Sequence, residues 1–500
     1  MNYLIKGSLF AAVFLASVFS QAAIFGTYND EGNLFRSHLN NHLSEDLAAK
    51  FKDKVDSKDG VLYLLEQARL LQVNHQYEES LNHYKQAFEL LDKQKSRAKI
   101  SLSRVGFKAL SMVSNDSVVP YLVPSHEQVL AHISQAKNYI FLKNLEAAAV
   151  EMRVAQGIQR EIELAHQAEF EKKKEKNAKA NASSNAALHV LDEAFVGLDP
   201  IAGKIKNTYQ NAYAFYMAAN LWETLGEYND ALVDYKKAYE LQPDEQIAKD
   251  VKRLDQLVAK QSNSGVPVIV FIEQGIVPQK IENKLDIPTP GGIINIAFAT
   301  YEPSTYVAPK SLKVKLNNRV LQDSYVISDI GALAVKDLKE KVVGTLTTQV
   351  IRATAKYAAQ KELGNQFGVL GQLAGNVLNM ATERADLRAW TTLPSNTQIA
   401  RLNITPGTHN LQLSSGNLSS SSVKLDVKAN ETVTTLVAVA DGTYTYKSED
   451  GTETKIDIAA SVVQNFETIV KNNPETVERV IKEVLKDVEG NVIYNGKDLV

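Results

Sequence analysis

Two spacings of apolar residues divide this chain. From Asn33 to about residue 260 they recur at helical intervals, and beyond Val266 they gather in short β-branched runs. The clearest helical stretch is AYAFYMAANLWETLGEYNDALVDYKKAYELQP, Ala212 to Pro243. Phe215, Ala218, Ala219 and Trp222 share one helix face at spacings of three and four, and Ala231, Leu232, Tyr235, Ala238 and Tyr239 repeat the spacing on a second. Gly226 falls at the reversal, where a residue without Cβ enters a positive-φ turn cheaply. Small Ala219 and Ala231 let the two helices approach, and Pro243 ends the second.

This unit resembles a tetratricopeptide repeat in length, turn and signature residues. A second unit runs from Val61 to Leu91, with Leu64, Ala68 and Leu71 in the places of Phe215, Ala219 and Trp222. There His75 replaces the turn glycine and Ser80 replaces Ala231. A third runs from about Gln128 to Gln156, with Ala136 and Tyr139 on its first helix, Leu145, Ala148, Met152 and Ala155 on its second, and Lys143 at the turn. Such a pair cannot bury its apolar face alone, so the spacing predicts neighbours stacked into an irregular α-solenoid over about 33–260. Lys95 to Pro124 reads as a connection ending in a loop. The charged run Lys172 to Lys174 with Lys176 reads as a solvated helix end before an Ala/Asn/Ser linker.

Ser262-Asn263-Ser264-Gly265 marks a composition break. After it, Val266 to Gly275 reads as a central strand, followed by strands at Gly292–Tyr301, Ser311–Leu316, Thr397–Ile404, His409–Ser414, Val423–Ala429 and Thr432–Ala440. Hairpin spacing predicts an antiparallel β-sandwich of immunoglobulin or transthyretin character, interrupted by a helical insertion at 332–388. In that insertion Gly364, Gly368, Gly371 and Gly375 form a stripe suited to close helix contact, read as one side of an internal helix hairpin. Ile456 to Gly490 reads as two further helices. The predicted fold class is thus multidomain α+β: signal peptide 1–23, tetratricopeptide-like domain 24–261, β-sandwich 262–445 and C-terminal helices 446–500.

The order of several short motifs also resembles a family of uncharacterised bacterial envelope proteins with tetratricopeptide-like repeats. They are LEAA at Leu145–Ala148, Gly226–Pro243, FIEQG at Phe271–Gly275, ALAVKDL at Ala332–Leu338, AKYAAQK at Ala355–Lys361, ADLRAWTTLP at Ala385–Pro394 and IARLNITPG at Ile399–Gly407. The resemblance covers roughly 60–415 and implies an exported protein-binding role without catalytic residues. Many such proteins look like lipoproteins, but this chain has no cysteine to carry a lipid.

The first residues fit export. Lys6 precedes an apolar run from Leu9 to Phe19, and Ser20, Ala22 and Ala23 suit a signal peptidase, so cleavage is expected after Ala22 or Ala23. A periplasmic or secreted location without stable membrane insertion follows as an expectation. The formal net charge of −3 gives no sign of a nucleic-acid partner.

Chemistry is sparse. His38 and His42 lie at i and i+4 with Glu45 and Asp46 beyond, but the order departs from HExxH, and an exposed polar face explains it as well. No phosphate loop and no nucleophile elbow occurs. Asp386, Arg388 and Trp390 read as an ion pair beside a core tryptophan. The expectation is a scaffold, neither enzyme nor metalloprotein and without a cofactor, that binds an envelope protein or peptide through the solenoid's concave face, with Tyr213, Tyr216 and Asn220 as contacts. The alternative is an accessory factor for assembly or export of a cell-surface polymer, its β domain touching glycan.

Overall fold

The computed structural model describes residues 28–41, 43, 45–102, 120–176, 195, 197–258, 266–289, 292–342, 385–415, 418–419, 422–429, 433–439, 443–447 and 453–457. The signal segment, His42, the linker glycine Gly265, the glycine stripe at 364–375 and nearly all of the C-terminal helices expected from sequence lie outside the described residues.

Helix α1 spans Tyr28–Asn40, and the short α2 (Leu47–Lys50) and α3 (Lys52–Val55) lead to α4, Gly60–Val73. Next come α5 (Tyr77–Leu102), α6 (Ser125–Phe141), α7 (Leu145–Lys176), the short α8 (Asp199–Ala202), α9 (Ala212–Thr224), α10 (Tyr228–Leu241) and α11 (Glu245–Val258). The repeat units are the antiparallel pairs α4/α5, α6/α7 and α9/α10. They stack in chain order, α5 on α6 and α7 on α9, and α11 closes the row against α10.

The three pairs turn the same way. At Gly226 φ is +80°; at His75 and Lys143 it is +61° and +59°. In each turn the next amide reaches back five residues: Glu227 to Trp222 O (2.8 Å), Gln76 to Leu71 O (2.9 Å) and Asn144 to Tyr139 O (2.8 Å). This bond caps a helix only if the residue before it is left-handed. Two side chains thus bear a conformation costing about 1–2 kcal/mol because the stacking of the pairs requires it.

The strands are β1 (Val266–Gln274), β2 (Lys280–Thr289), β3 (Gly292–Tyr301), β4 (Lys313–Leu316), β5 (Arg319–Asp323) and β6 (Tyr325–Asp329). Helix α12 (330–342) intervenes before β7 (Asn396–Ile404), β8 (Gly407–Ser415), β9 (Leu418–Ser419), β10 (Val423–Val427), β11 (Val433–Val439), β12 (Thr443–Lys447) and β13 (Glu453–Asp457). One sheet has the order β11-β1-β7-β6. A second runs β13-β12-β9-β8-β4-β5 with β10 also on β8, and β2-β3 form a separate ribbon.

Several details differ from the sequence reading. The first sheet is mixed, since β1 pairs parallel with β11. Their separation in sequence leaves ample chain for the crossover that parallel pairing needs. Residues 385–390 lie outside any helix rather than ending one, because the amides of Ala385, Arg388 and Trp390 bond to the carboxylates of Glu282, Asp386 and Glu127. Strands continue to Asp457, so Ile456 pairs with Tyr444 in a hairpin instead of opening a helix.

Strand β1 lies at the centre of three layers. Val268, Val270 and Ile272 point to one side and join Val314, Leu316, Ala400, Leu402, Leu411, Leu413 and Leu425 in a core between the two sheets. Ile269 and Phe271 point to the other side and enter the largest core, with residues of α4, α6, α9 and α10. Both faces are buried, which explains why the strand reads as an unbroken apolar run.

Candidate functional site

The inner face of the helix pairs, where a tetratricopeptide-like groove would be open, is covered by β1, β7 and the segment 388–393. Polar side chains on α4, α6, α9 and α10 hold them there. Helix α4 is buried along its whole length, so its Glu66, Gln67, Arg69 and Gln72 meet protein and not water.

Glu66 is fully buried and receives Tyr28 OH (2.8 Å), Thr391 N (2.6 Å), Thr391 Oγ1 (2.7 Å), Thr392 N (3.1 Å) and Thr392 Oγ1 (2.5 Å). Burial raises its carboxyl above the ordinary range, and these donors only partly offset it. One turn on, Arg69 Nη1 lies 2.5 Å from Glu273 Oε2, and Lys137 Nζ donates to Glu273 Oε1. The three side chains are no more than 3% exposed. Burial acts to raise the Glu273 carboxyl, but Arg69 and Lys137 outweigh it and bring it down to about 2. Burial also lowers Lys137, to about 8, with Glu273 opposing and Arg69 reinforcing.

Farther along, Arg401 of β7 reaches Asn220 Oδ1 (2.8 Å), Glu223 Oε1 (2.7 Å) and Tyr235 OH (3.1 Å). Arg253 of α11 grips both oxygens of Glu223 at 2.7 Å. Burial works to raise Glu223, and the two guanidinium groups pull it below its usual value. At the other end Arg388 bridges Asp386 (2.7 Å) and Asp59 (2.5 Å), while Trp390 is fully buried, so this group is an ion pair and a core tryptophan.

The candidate contact residues sit inside this seam. Tyr213 is 1% exposed and stands edge-on to Phe271, ring centroids 6.2 Å apart. Tyr216 donates to Asp250, and Asn220 accepts from Arg401 while donating to Tyr216 O (2.8 Å). A partner would reach them only by displacing the strands. His38 is also buried, with Nδ1 2.9 Å from Leu34 O and Nε2 3.2 Å from Glu45. Among the described residues no three His, Cys, Asp or Glu side chains gather as a metal site, and no helix is long and apolar enough to cross a membrane.

The sequence reading overlooked the seam's charged members. Each breaks a local apolar pattern: Glu273 in VPVIVFIEQ, Arg401 in QIARLNI, and Glu66 with Arg69 in a helix whose other polar side chains are only Gln67 and Gln72. A charge in such a place needs a buried partner, and that was the available signal.

No family model and no curated protein matches the chain. Among solved structures it is similar to the TPR2AB-domain:pHSP90-complex of yeast Sti1, at 13% identity and a TM-score of 0.19, over 46% of this chain and 85% of that one. That likeness is too loose to carry a function across.

Proposed function

We propose that this chain is an exported, non-enzymatic scaffold that binds another envelope protein or peptide. The observation behind this is the seam itself: stacked helix pairs grip the turn at Thr391–Thr392 through Glu66, strand β1 through Arg69 and Lys137, and strand β7 through Glu223. That is the work of a protein-binding groove, here done on the chain's own strands, and it leaves the remaining surface for the partner. Export and the envelope setting rest on the N-terminal segment and the motif resemblance.

Crosslinking of the full-length protein in its native envelope, with identification of the captured species by mass spectrometry, tests the reading. It predicts a reproducible protein partner. Capture of no protein above an unrelated exported control would refute it.

A further inference from the structure

A cavity of about 320 Å³ opens where the helical row meets the end of the first sheet. Its walls are the 204–210 loop, the C-terminal end of α10, Ala308 and Pro309, strand β6 and Leu333 of α12. The size is near the lower end of ligand sites, roughly 300–1,000 Å³, which suits the side chains of a short segment.

Strand β6 ends its sheet. It pairs with β7 on one edge, and among the described residues no strand pairs with the other. Val326, Ile327, Ser328 and Asp329 all border the cavity. Neighbouring side chains of a strand point to opposite faces, so four consecutive residues border one cavity where it runs along the backbone edge. Ile327 is also a bulged residue, skipped by the register with β7.

The charges around it are unequal. Lys204 lies 4.8 Å from the Tyr306 ring centroid and donates to Tyr306 OH (3.0 Å), which donates in turn to Asp329 (2.5 Å). Lys206 is 60% exposed; its ammonium donates to Glu240 O (3.4 Å) and lies 4.0 Å from the exposed Glu240 carboxylate. Lys336 fixes the loop beneath them through Ile205 O (2.6 Å) and Lys206 O (3.3 Å). Two ammonium groups, Lys204 and Lys206, thus line the cavity with one carboxylate, Asp329, and a second carboxylate, Glu240, at the rim, beside an apolar floor of Ile205, Leu241 and Leu333.

The geometry points to a docking site for an extended peptide that adds to the free edge of β6 and sets an acidic side chain between Lys204 and Lys206. This rests on the scaffold reading and names the partner's chemistry. The backbone edge supplies affinity without regard to sequence, and the lysines select against a basic segment.

The test is fluorescence anisotropy with the full-length protein and a short labelled peptide of alternating valine and threonine about a central glutamate. Two control peptides carry lysine for the glutamate or N-methylated alternate amides. The expected result is saturable binding of the glutamate peptide, about tenfold tighter than the lysine peptide. Lys204→Glu with Lys206→Glu should reverse that order with thermal stability unchanged, and N-methylation should abolish binding. No saturable binding, equal affinity for the charged peptides, or retained binding after N-methylation would overturn the inference. If the glutamate peptide fails while envelope crosslinking still captures a partner, the docking site falls and the scaffold reading stands.

Discussion

Replacing Glu273 with leucine removes the one carboxylate that lies between Arg69 and Lys137, and leaves two cations in a place with no water to receive them. Two routes give the cost. The depression of Glu273 from its ordinary 4.5 to about 2 corresponds to about 3 kcal/mol of interaction in favour of the ionised form. Removal of one member of a buried ion pair costs about 3–5 kcal/mol. Urea unfolding followed by circular dichroism at neutral pH should therefore show Glu273→Leu less stable by about 3 kcal/mol or more. The contribution of Glu273 is complete above the unfolded glutamate value, about 4.3, and drains away as pH falls through about 2, so wild type and variant should converge over that window. They should also draw together as pH rises towards about 8, because Lys137 without its carboxylate releases its proton below the value it holds in the wild type. The triple change Arg69→Met, Lys137→Met, Glu273→Leu should recover most of the loss, since it removes the charges together. A single-variant loss below about 1 kcal/mol, or a triple variant no better than the single, would refute this electrostatic account.

Three further expectations use other parts of the molecule. At Gly226 a Cβ would meet nothing within 4 Å, so Gly226→Ala should cost about 1 kcal/mol through the left-handed backbone alone, and exposed Lys143→Gly should gain a similar amount. Thermal unfolding midpoints moving the other way would show the turns to be unstrained. Glu66→Gln should cost about 1–3 kcal/mol by chemical unfolding, because an amide NH₂ must then face the Thr391 or Thr392 amide; no loss would mean the site relaxes freely. Arg401→Met should cost about 2–4 kcal/mol and raise the Glu223 carboxyl, so the deficit should shrink as acid titrates Glu223, and a deficit independent of pH would contradict the pairing.

The helix pairs were legible because a three-and-four spacing with a turn residue is local. Even so, His75 and Lys143 read as departures until the stacked pairs showed that tertiary packing holds them left-handed. The strands most apolar in sequence, β1, β3 and β7, were also plain. Strand β2 was missed because KIENKLDIPT alternates poorly and carries Pro288, which suits only a ribbon with open edges. The parallel pairing of β1 with β11 leaves no local trace, since nothing near either strand encodes the other. The site was the least legible. Tyr213, Tyr216 and Asn220 were found as members of an inner helix face, but a pattern along one helix says nothing of what covers it. That cover comes from strands far away in sequence, and only charges within apolar runs, Glu66, Arg69, Glu273 and Arg401, hinted at it.

Native-state hydrogen exchange on the intact protein tests most directly whether the helical row and its strands are one body. If the inner face is filled by the chain's own β1 and β7, the amides of Val268–Ile272 and of Met217–Trp222 should exchange through the same opening, with one free energy and one dependence on denaturant. Exchange of β1 through a smaller, separate opening while α9 stays protected would show the strands to be a detachable cover, and the account would be wrong.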